Sequence, residues 1–126
     1  MRPVVVDASA LAALVFGEPG AERVASRLEG AELFGPSLLA FELASVAWKK
    51  LQRHPKRATA ILRALATVLE PRWGIEWMRV DHADAVMLAV KTGLTPYDAS
   101  YLWLAAWLGA DLVTLDERLA TAGRDV

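Results

Sequence analysis

Four carboxylates occupy similar places in the chain, where a helix begins or has just begun. Asp7 and Asp116 each follow directly on a short apolar run. Asp98 lies in the first turn of a strongly apolar helical segment, and Glu42 lies beside the apolar stripe of another. If the fold gathers these side chains in one pocket, a bound cation must relieve their mutual repulsion. The four residues are therefore candidates for a common acidic site.

Each of these acids also has a purely structural interpretation. Asp7 and Asp116 are suitable N-cap residues, because their side chains can accept hydrogen bonds from the first free N–H groups of a helix. Asp98, with a threonine three residues before it, matches a capping box. Glu42 either pairs with Lys49 or extends into solvent. Since caps are common, only the joint placement of the four acids points to a function.

The elements that must position these acids alternate along the chain. Short apolar runs are separated by helical patterns, which predicts a parallel sheet covered on both faces. The predicted strands span 3–6, 32–34, 76–80 and 111–115, and the residues 35–37 are predicted to form a turn that ends in a helix cap. The predicted helices span 8–16, 20–28, 38–52, 56–69, 82–92 and 96–108, with a short one beginning at 116.

The segment at 96–108 is apolar whichever way its helix is turned, which predicts burial on all sides. The fold class expected is α/β: a three-layer α/β/α domain with a short parallel sheet, occupying residues 1–126 as one domain. In such sheets, sites form outside the carboxyl ends of the strands. Asp7 and Asp116 come directly after predicted strands, so they are expected at this edge.

Composition narrows the possible functions. The 126 residues carry a net charge of −1, so any nucleic-acid binding must use a local patch. There is no cysteine, which excludes disulfides and thiolate metal sites and fits a reducing compartment. The apolar start of the chain ends at Asp7, too soon for a signal peptide, and the longest uncharged run is far shorter than the ~20 residues of a membrane span. We expect a soluble, cytoplasmic protein with no membrane partner.

Four sequence blocks carry a family resemblance. They read VVVDASAL at 4–11, PSLLAFE at 36–42, TPYDASY at 95–101 and LVTLD at 112–116. Together and in this order the blocks resemble the PIN-domain ribonucleases, and among these the VapC-type toxins of toxin–antitoxin pairs. The one departure noted is Pro96, where a small residue is common in the family, and proline is well tolerated at a first helical position.

The resemblance implies roles for particular residues and partners. Asp7, Glu42, Asp98 and Asp116 would form an acidic metal site, with Ser9 and Thr114 as supporting hydroxyls. The site would hold one or two Mg²⁺ ions, or Mn²⁺, and hydrolyse RNA phosphodiesters with a water activated by the metal. Mg²⁺ prefers such oxygen ligands. A cognate antitoxin protein is the implied partner, and the apolar composition adds to the expectation of a homodimer. Which acid acts as general base is left open.

A basic segment follows Glu42, with no acid before Glu70. It is either a solvated surface, a patch that binds the RNA backbone, or, as the resemblance implies, a contact for the antitoxin. The candidate RNA-binding residues in it are Lys49, Lys50, Arg53, Lys56 and Arg57. Both histidines, His54 and His82, lie outside the four blocks, so a mechanism based on a histidine pair is disfavoured.

Other protein classes fit the sequence less well. A phosphoacceptor signalling domain would have paired acids after its first strand and a lysine after its last, and neither is present. A haloacid-dehalogenase-like phosphatase would have a second aspartate where Ser9 stands. Two relatives of the toxin interpretation stay open: a house-keeping PIN nuclease in RNA maturation, and a non-catalytic PIN-like binding module. A neighbouring gene for a small DNA-binding antitoxin would favour the toxin.

Overall fold

The computed structural model describes residues 1–125. These residues form four strands and seven α-helices, with short 3₁₀ turns at Pro55–Arg57 and Pro71–Trp73. In chain order the elements are β1 (Arg2–Val6), α1 (Ala8–Phe16), α2 (Ala21–Leu28), β2 (Ala31–Pro36), α3 (Leu38–Arg53), α4 (Ala58–Leu69), β3 (Ile75–Met78), α5 (His82–Thr92), α6 (Pro96–Leu108), β4 (Asp111–Val113) and α7 (Glu117–Asp125).

The four strands form one parallel sheet in the order β3-β2-β1-β4. β1 lies in the interior of this sheet, where Val5 pairs with both Phe34 of β2 and Leu112 of β4. The chain first builds outward from β1 to β3 and then returns to place β4 on the other side of β1. Such a reversal opens a crevice beyond the carboxyl ends of the two strands, which is where ligands bind in this class of sheet.

Two groups of helices flank the sheet. α1 packs against α2, α3 and α4, whereas α5 packs against α6, and α6 in turn lies on β1 and β2 and contacts α7. The core between them consists of aliphatic side chains around the fully buried β1 residues Val4, Val5 and Val6. This architecture confirms the predicted α/β fold with a short parallel sheet. Within residues 1–125 no helix combines the length and the apolar character needed to cross a bilayer.

Helix α6 begins and ends where the sequence predicts. The Thr95 side chain accepts a hydrogen bond from the Asp98 backbone N–H at 3.2 Å, and Gly109 ends the helix in a left-handed conformation. Burial on all sides is wrong, however, because the exposed residues of this helix are Pro96, Tyr97, Ala106 and, at 71% exposure, Trp107. Its ring stacks on Trp103 at the surface, with the ring centroids 5.3 Å apart. The helix belongs to an outer layer, so one part of its circumference faces outward.

The predicted turn at 35–37 is wrong for Gly35 and Pro36 and correct for Ser37, the turn residue directly before α3. β2 continues through Pro36, and Ser37 adopts a helical backbone conformation without capping α3 through its side chain. Gly35 is needed for close packing: a Cβ atom there would lie 2.6 Å from Leu39 Cδ2. Pro36 is tolerated because the pairing of β2 with β1 ends at Phe34, so no hydrogen bond to β1 is required from it.

Candidate active site

Asp7 is the most buried of the four predicted acids, with 5% of the residue exposed. Oδ1 accepts hydrogen bonds from the Ser9 hydroxyl at 2.8 Å and from the Ala10 N–H at 3.0 Å, while Oδ2 accepts one from the Thr114 hydroxyl at 2.5 Å. The Ala10 bond makes Asp7 the N-cap of α1. The structural interpretation of Asp7 is therefore correct, and it leaves the carboxylate held in one orientation at the end of β1.

The two hydroxyls predicted to support the site also connect it to the last strand. Ser9 Oγ accepts the Leu115 N–H at 3.0 Å, and Thr114 Oγ1 accepts the Asp116 N–H at 3.0 Å. Asp116 is exposed and caps α7, because its Oδ1 accepts the Leu119 N–H at 2.9 Å. The loop after β4 is thus tied to the loop after β1, which brings Asp116 to the same edge of the sheet as Asp7.

Glu42 lies in the second turn of α3 and is half-buried. Its Oε1 accepts a hydrogen bond from the phenol of Tyr101, a residue of α6 that is only 1% exposed. The contact joins α3 to α6 across the sheet edge. Within residues 1–125 the ion pairs do not include one between Glu42 and Lys49, so the pairing considered from the sequence is not formed.

Asp98 completes the predicted set from the N-terminal end of α6. Thr95, and not Asp98, is the N-cap of that helix, so the Asp98 carboxylate is half-buried without being the cap. Arg118 of α7 donates a hydrogen bond to the Gly93 carbonyl at 2.9 Å, and its charge partly offsets the burial that raises the pKa of Asp98. The positively charged side chain of Arg118 therefore lies at the edge of the acidic site.

The four acids influence one another electrostatically. Burial raises the pKa of Asp7 despite its three hydrogen bonds, and the charge of Asp116 raises it further. Burial also raises the pKa of Glu42, with added contributions from Asp98 and Asp7, against the hydrogen bond from Tyr101. The pKa of Asp98 is raised by burial first and by Asp116 second. Each predicted acid thus lies within range of at least one other.

The donor set fits a hard divalent cation that keeps much of its water. Carboxylates whose ionised forms are disfavoured by burial and by each other gain from a nearby positive charge. Among residues 1–125, no three aspartate, glutamate or histidine side chains form a ready-made metal cluster. Mg²⁺ does not require one, because it commonly binds through one or two carboxylates and retains several waters. The arrangement therefore suits a divalent cation that retains several waters better than a fully protein-coordinated ion.

The C-terminal end of α3, which carries Arg53, lies away from the acids. Arg53 is eleven residues beyond Glu42 on α3, which corresponds to about 17 Å along the helix axis. Lys50 forms a 2.6 Å ion pair with Glu18 and lies over the ring of Phe16, so its charge is already partnered. The other candidates in this segment are exposed, namely Lys49, Arg53, Lys56 and Arg57.

Two residues of this site were missed from the sequence. Tyr101 lies three residues after Asp98 and thus on the same face of α6, and a buried phenol needs a hydrogen-bond partner. The spacing of three residues between Asp98 and Tyr101 was therefore the sequence feature that could have identified Tyr101. Arg118 follows Asp116 by two residues, but nothing in the sequence distinguishes it from other exposed arginines in the first turn of a helix.

Comparison with known proteins agrees with this architecture. The family profile described as "PIN domain" matches residues 4–125. Ribonuclease VapC3 from Pyrobaculum aerophilum is 37% identical over 93% of this chain and 92% of its own length. The crystal structure of PAE2754 from the same organism has a TM-score of 0.75 at 29% identity, over 96% of this chain and 86% of that one.

A more distant structure has the same fold. Mycobacterium tuberculosis VapC20, described as a toxin that cleaves the sarcin-ricin loop, has a TM-score of 0.66 at 16% identity, over 95% of both chains. The fold defines a three-layer α/β protein with a short parallel sheet, as in these solved structures. This chain belongs to the PIN-domain family.

Proposed function

We propose that this protein is a metal-dependent endoribonuclease and the toxin of a VapBC-type toxin–antitoxin pair. The observation that carries the proposal is that four acids from different elements influence one another's pKa in pairs, namely Asp7 with Asp116, Glu42 with Asp98 and with Asp7, and Asp98 with Asp116. The similarity to a protein named Ribonuclease VapC3, over nearly the full length of both chains, supports the same activity here.

Asp7, Glu42, Asp98 and Asp116 would hold Mg²⁺, with Mn²⁺ as an alternative. A cation bound there supplies an activated water nucleophile and neutralises charge that develops on the phosphate. Ser9 and Thr114 keep the Asp7 carboxylate in one orientation through their hydrogen bonds.

Two further residues would assist the site: Tyr101 would act on Glu42, and Arg118 would act on the RNA. Tyr101 orients Glu42 from the opposite side of the site. Arg118, near Asp98, is placed to attract the RNA backbone.

The proposal includes the protein's partners and location. The substrate is RNA and the protein partner is a cognate antitoxin, both in the cytoplasm. A homodimer is favoured by two apolar side chains on α5, Met87 at 71% and Val90 at 82% exposure, since large apolar groups at the surface mark contacts with other chains. Light scattering should give twice the monomer mass, and Met87→Lys with Val90→Lys should give the monomer mass. An unchanged mass would exclude this face as the interface.

The activity is tested by incubating the protein with total RNA and mapping the ends of the products. Cleavage should require Mg²⁺ or Mn²⁺, stop in excess chelator and leave 5′-phosphates. Asp7→Asn and Asp98→Asn should abolish it. Asp111→Asn is the matched control, because Asp111 is exposed at the opposite end of β4 and should leave cleavage unchanged. Cleavage in chelator, or cyclic-phosphate ends, would contradict the proposal.

The toxin role is tested separately from the nuclease activity. Expression of this chain should arrest growth, and co-expression of the small protein encoded beside it should restore growth. Asp98→Asn should be harmless under the same promoter. Active cleavage without growth arrest and without an adjacent antitoxin gene would instead indicate a house-keeping nuclease of RNA maturation. A protein that binds RNA but never cuts it would be a binding module.

A further inference from the structure

We infer that a cleft beside the acidic site binds one nucleobase of the RNA substrate, an inference that rests on the proposed function. The cleft lies where the end of β2 meets the N-terminal ends of α5 and α6, and its volume is about 220 Å³. Leu38, Val80 and Val86 supply apolar walls, and Tyr97, His82 and Ser37 supply an aromatic ring or a polar group.

The chemistry of the cleft differs from that of the neighbouring acids. Its lining, within the described residues, contains neither a carboxylate nor a lysine or arginine. A phosphate group would find no lysine or arginine to pair with there, whereas an uncharged planar heterocycle would find apolar walls and a few hydrogen-bonding groups. RNA-binding proteins recognise single-stranded bases in this way, by stacking them on aromatic side chains and hydrogen-bonding their edges.

Tyr97 is the residue best placed to stack on such a base. It is 63% exposed, unlike the buried Tyr101 four residues further along α6. The Ser100 hydroxyl donates to the Tyr97 carbonyl at 2.6 Å, which fixes this turn of the helix. Because Tyr97 directly precedes Asp98, a base on its ring would belong to a nucleotide next to the phosphate held at the acids.

The size of the cleft favours a base over a peptide. Sites that enclose drug-sized ligands measure roughly 300–1,000 Å³, and this cleft is smaller. A helix docked by its apolar face would need a longer groove with several anchor positions. A single base, entering edge-first between Tyr97 and the apolar walls, needs only one pocket.

The test uses an oligoribonucleotide that carries one mapped cleavage site, with each position in turn replaced by an abasic ribose. For the wild-type protein in Mg²⁺, one position next to the cleaved bond should lower kcat/KM by about 5- to 140-fold. This range corresponds to the roughly 1–3 kcal/mol of one base–aromatic stack. Tyr97→Ala should cause the same loss on intact RNA, and the abasic substitution should then cause no further loss.

Two variants make the result specific. Tyr97→Phe keeps the ring and should keep the wild-type pattern. Trp48→Ala removes another exposed aromatic, on the α3 helix six residues and about 240° of turn beyond Glu42, and should change nothing. Multiplicative losses from Tyr97→Ala and the abasic position, or no loss from either, would overturn the inference while the nuclease activity stands. Weakened antitoxin binding with unchanged kinetics would identify the cleft as a protein contact, and an inactive wild type would overturn the proposed function as well.

Discussion

Thr114 Oγ1 lies 2.5 Å from Asp7 Oδ2 and joins two residues that are 107 positions apart in the sequence. The contact follows from the pairing of Val6 with Val113 in the sheet. Because of this pairing, the residues that directly follow β1 and β4, Asp7 and Thr114, lie side by side. The same hydroxyl accepts the Asp116 N–H. One threonine therefore links two acids of the site to each other.

Removal of this hydroxyl should weaken both the fold and the site. Thr114→Val keeps the side-chain shape but leaves Asp7 Oδ2 and the Asp116 N–H without their partner. We expect the free energy of unfolding to fall by about 1–3 kcal/mol. RNA cleavage should fall by about 10–100-fold, as is typical when a group that orients a metal ligand is lost. Denaturant titration and initial cleavage rates measure the two effects.

Thr114→Ser is the matched control, because it restores the hydroxyl without the methyl group. Its cleavage rate should lie close to that of the wild type. Equal rates for the valine, serine and wild-type proteins would mean that the hydroxyl does not position Asp7.

The phenol of Tyr101 should control how readily Glu42 ionises. Its hydrogen bond lowers the pKa of Glu42, so Tyr101→Phe should raise that pKa further. The acidic limb of the cleavage–pH profile should then move to higher pH, and the free energy of unfolding should fall by about 0.5–1.5 kcal/mol. Tyr97→Phe, which removes the exposed phenol of α6, should leave the limb in place. A limb that shifts equally in both variants would contradict this assignment.

In chelator, the contribution of Glu42 to the free energy of unfolding should decrease as the pH rises. The folded-state pKa of Glu42 is raised, so the folded protein holds its proton to higher pH than the unfolded chain does. The resulting stabilisation is complete below the ordinary carboxyl pKa of 4.5 and is lost as the pH rises through the higher folded value. The stability of the wild type relative to Glu42→Gln should therefore decrease from pH 4 to pH 7. An increase in this relative stability between pH 4 and pH 7 would contradict a raised folded-state pKa of Glu42.

The basic residues after α3 should contribute to RNA binding only through electrostatic contacts with the phosphates of the RNA backbone. Replacing Lys56 and Arg57 by alanine should reduce the slope of log K against log salt by about 0.7 for each phosphate contact removed. Arg23→Ala, which removes an exposed arginine of α2, should leave the slope unchanged. Unchanged RNA binding combined with weaker antitoxin binding would assign this segment to the antitoxin instead.

The sequence predicted the elements well wherever local signals agreed. The N-cap at Thr95, the proline after it and the glycine at 109 all mark the same helix, and α6 has those limits. The residues 35–37 carry equally strong turn signals, yet β2 continues through Pro36. Gly35 is required by the close approach of Leu39, and Pro36 is tolerated because the pairing with β1 has already ended. Both causes are tertiary contacts, which a local sequence pattern does not reveal.

Two of the acids, Asp7 and Asp116, could be expected at one sheet edge because each follows a strand, but the hydrogen-bond partners of the acids could not be predicted. Asp7 proves to be a helix cap and an electrostatic neighbour of other acids at once, so the two interpretations weighed from the sequence were not exclusive. Glu42 pairs with Tyr101, which is 59 residues away. A contact between α3 and α6 depends on how both helices are placed around the sheet edge, and spacing along the chain carries no information about it.

The central claim is that Asp98 belongs to a cation site and is more than a first-turn acid. The direct measurement is a set of melting curves in chelator and in Mg²⁺ for the wild type, Asp98→Asn and Asp84→Asn. Asp84 is the matched control, because it occupies the same third helical position in α5 that Asp98 occupies in α6. Asp84→Asn should lose the helix-dipole contribution of about 0.3–1 kcal/mol in both conditions, while the asparagine oxygen can still accept the 3.2 Å hydrogen bond from the Trp103 indole.

For Asp98→Asn, we expect stability equal to or above that of the wild type in chelator, since removal of one charge relieves repulsion. Mg²⁺ at about 100 times its dissociation constant should stabilise the wild type by about 2.7 kcal/mol. The Asp98→Asn protein should gain far less and should not cleave RNA. If Mg²⁺ stabilises both proteins equally and the variant still cuts RNA, Asp98 is not part of a metal site and the account is wrong.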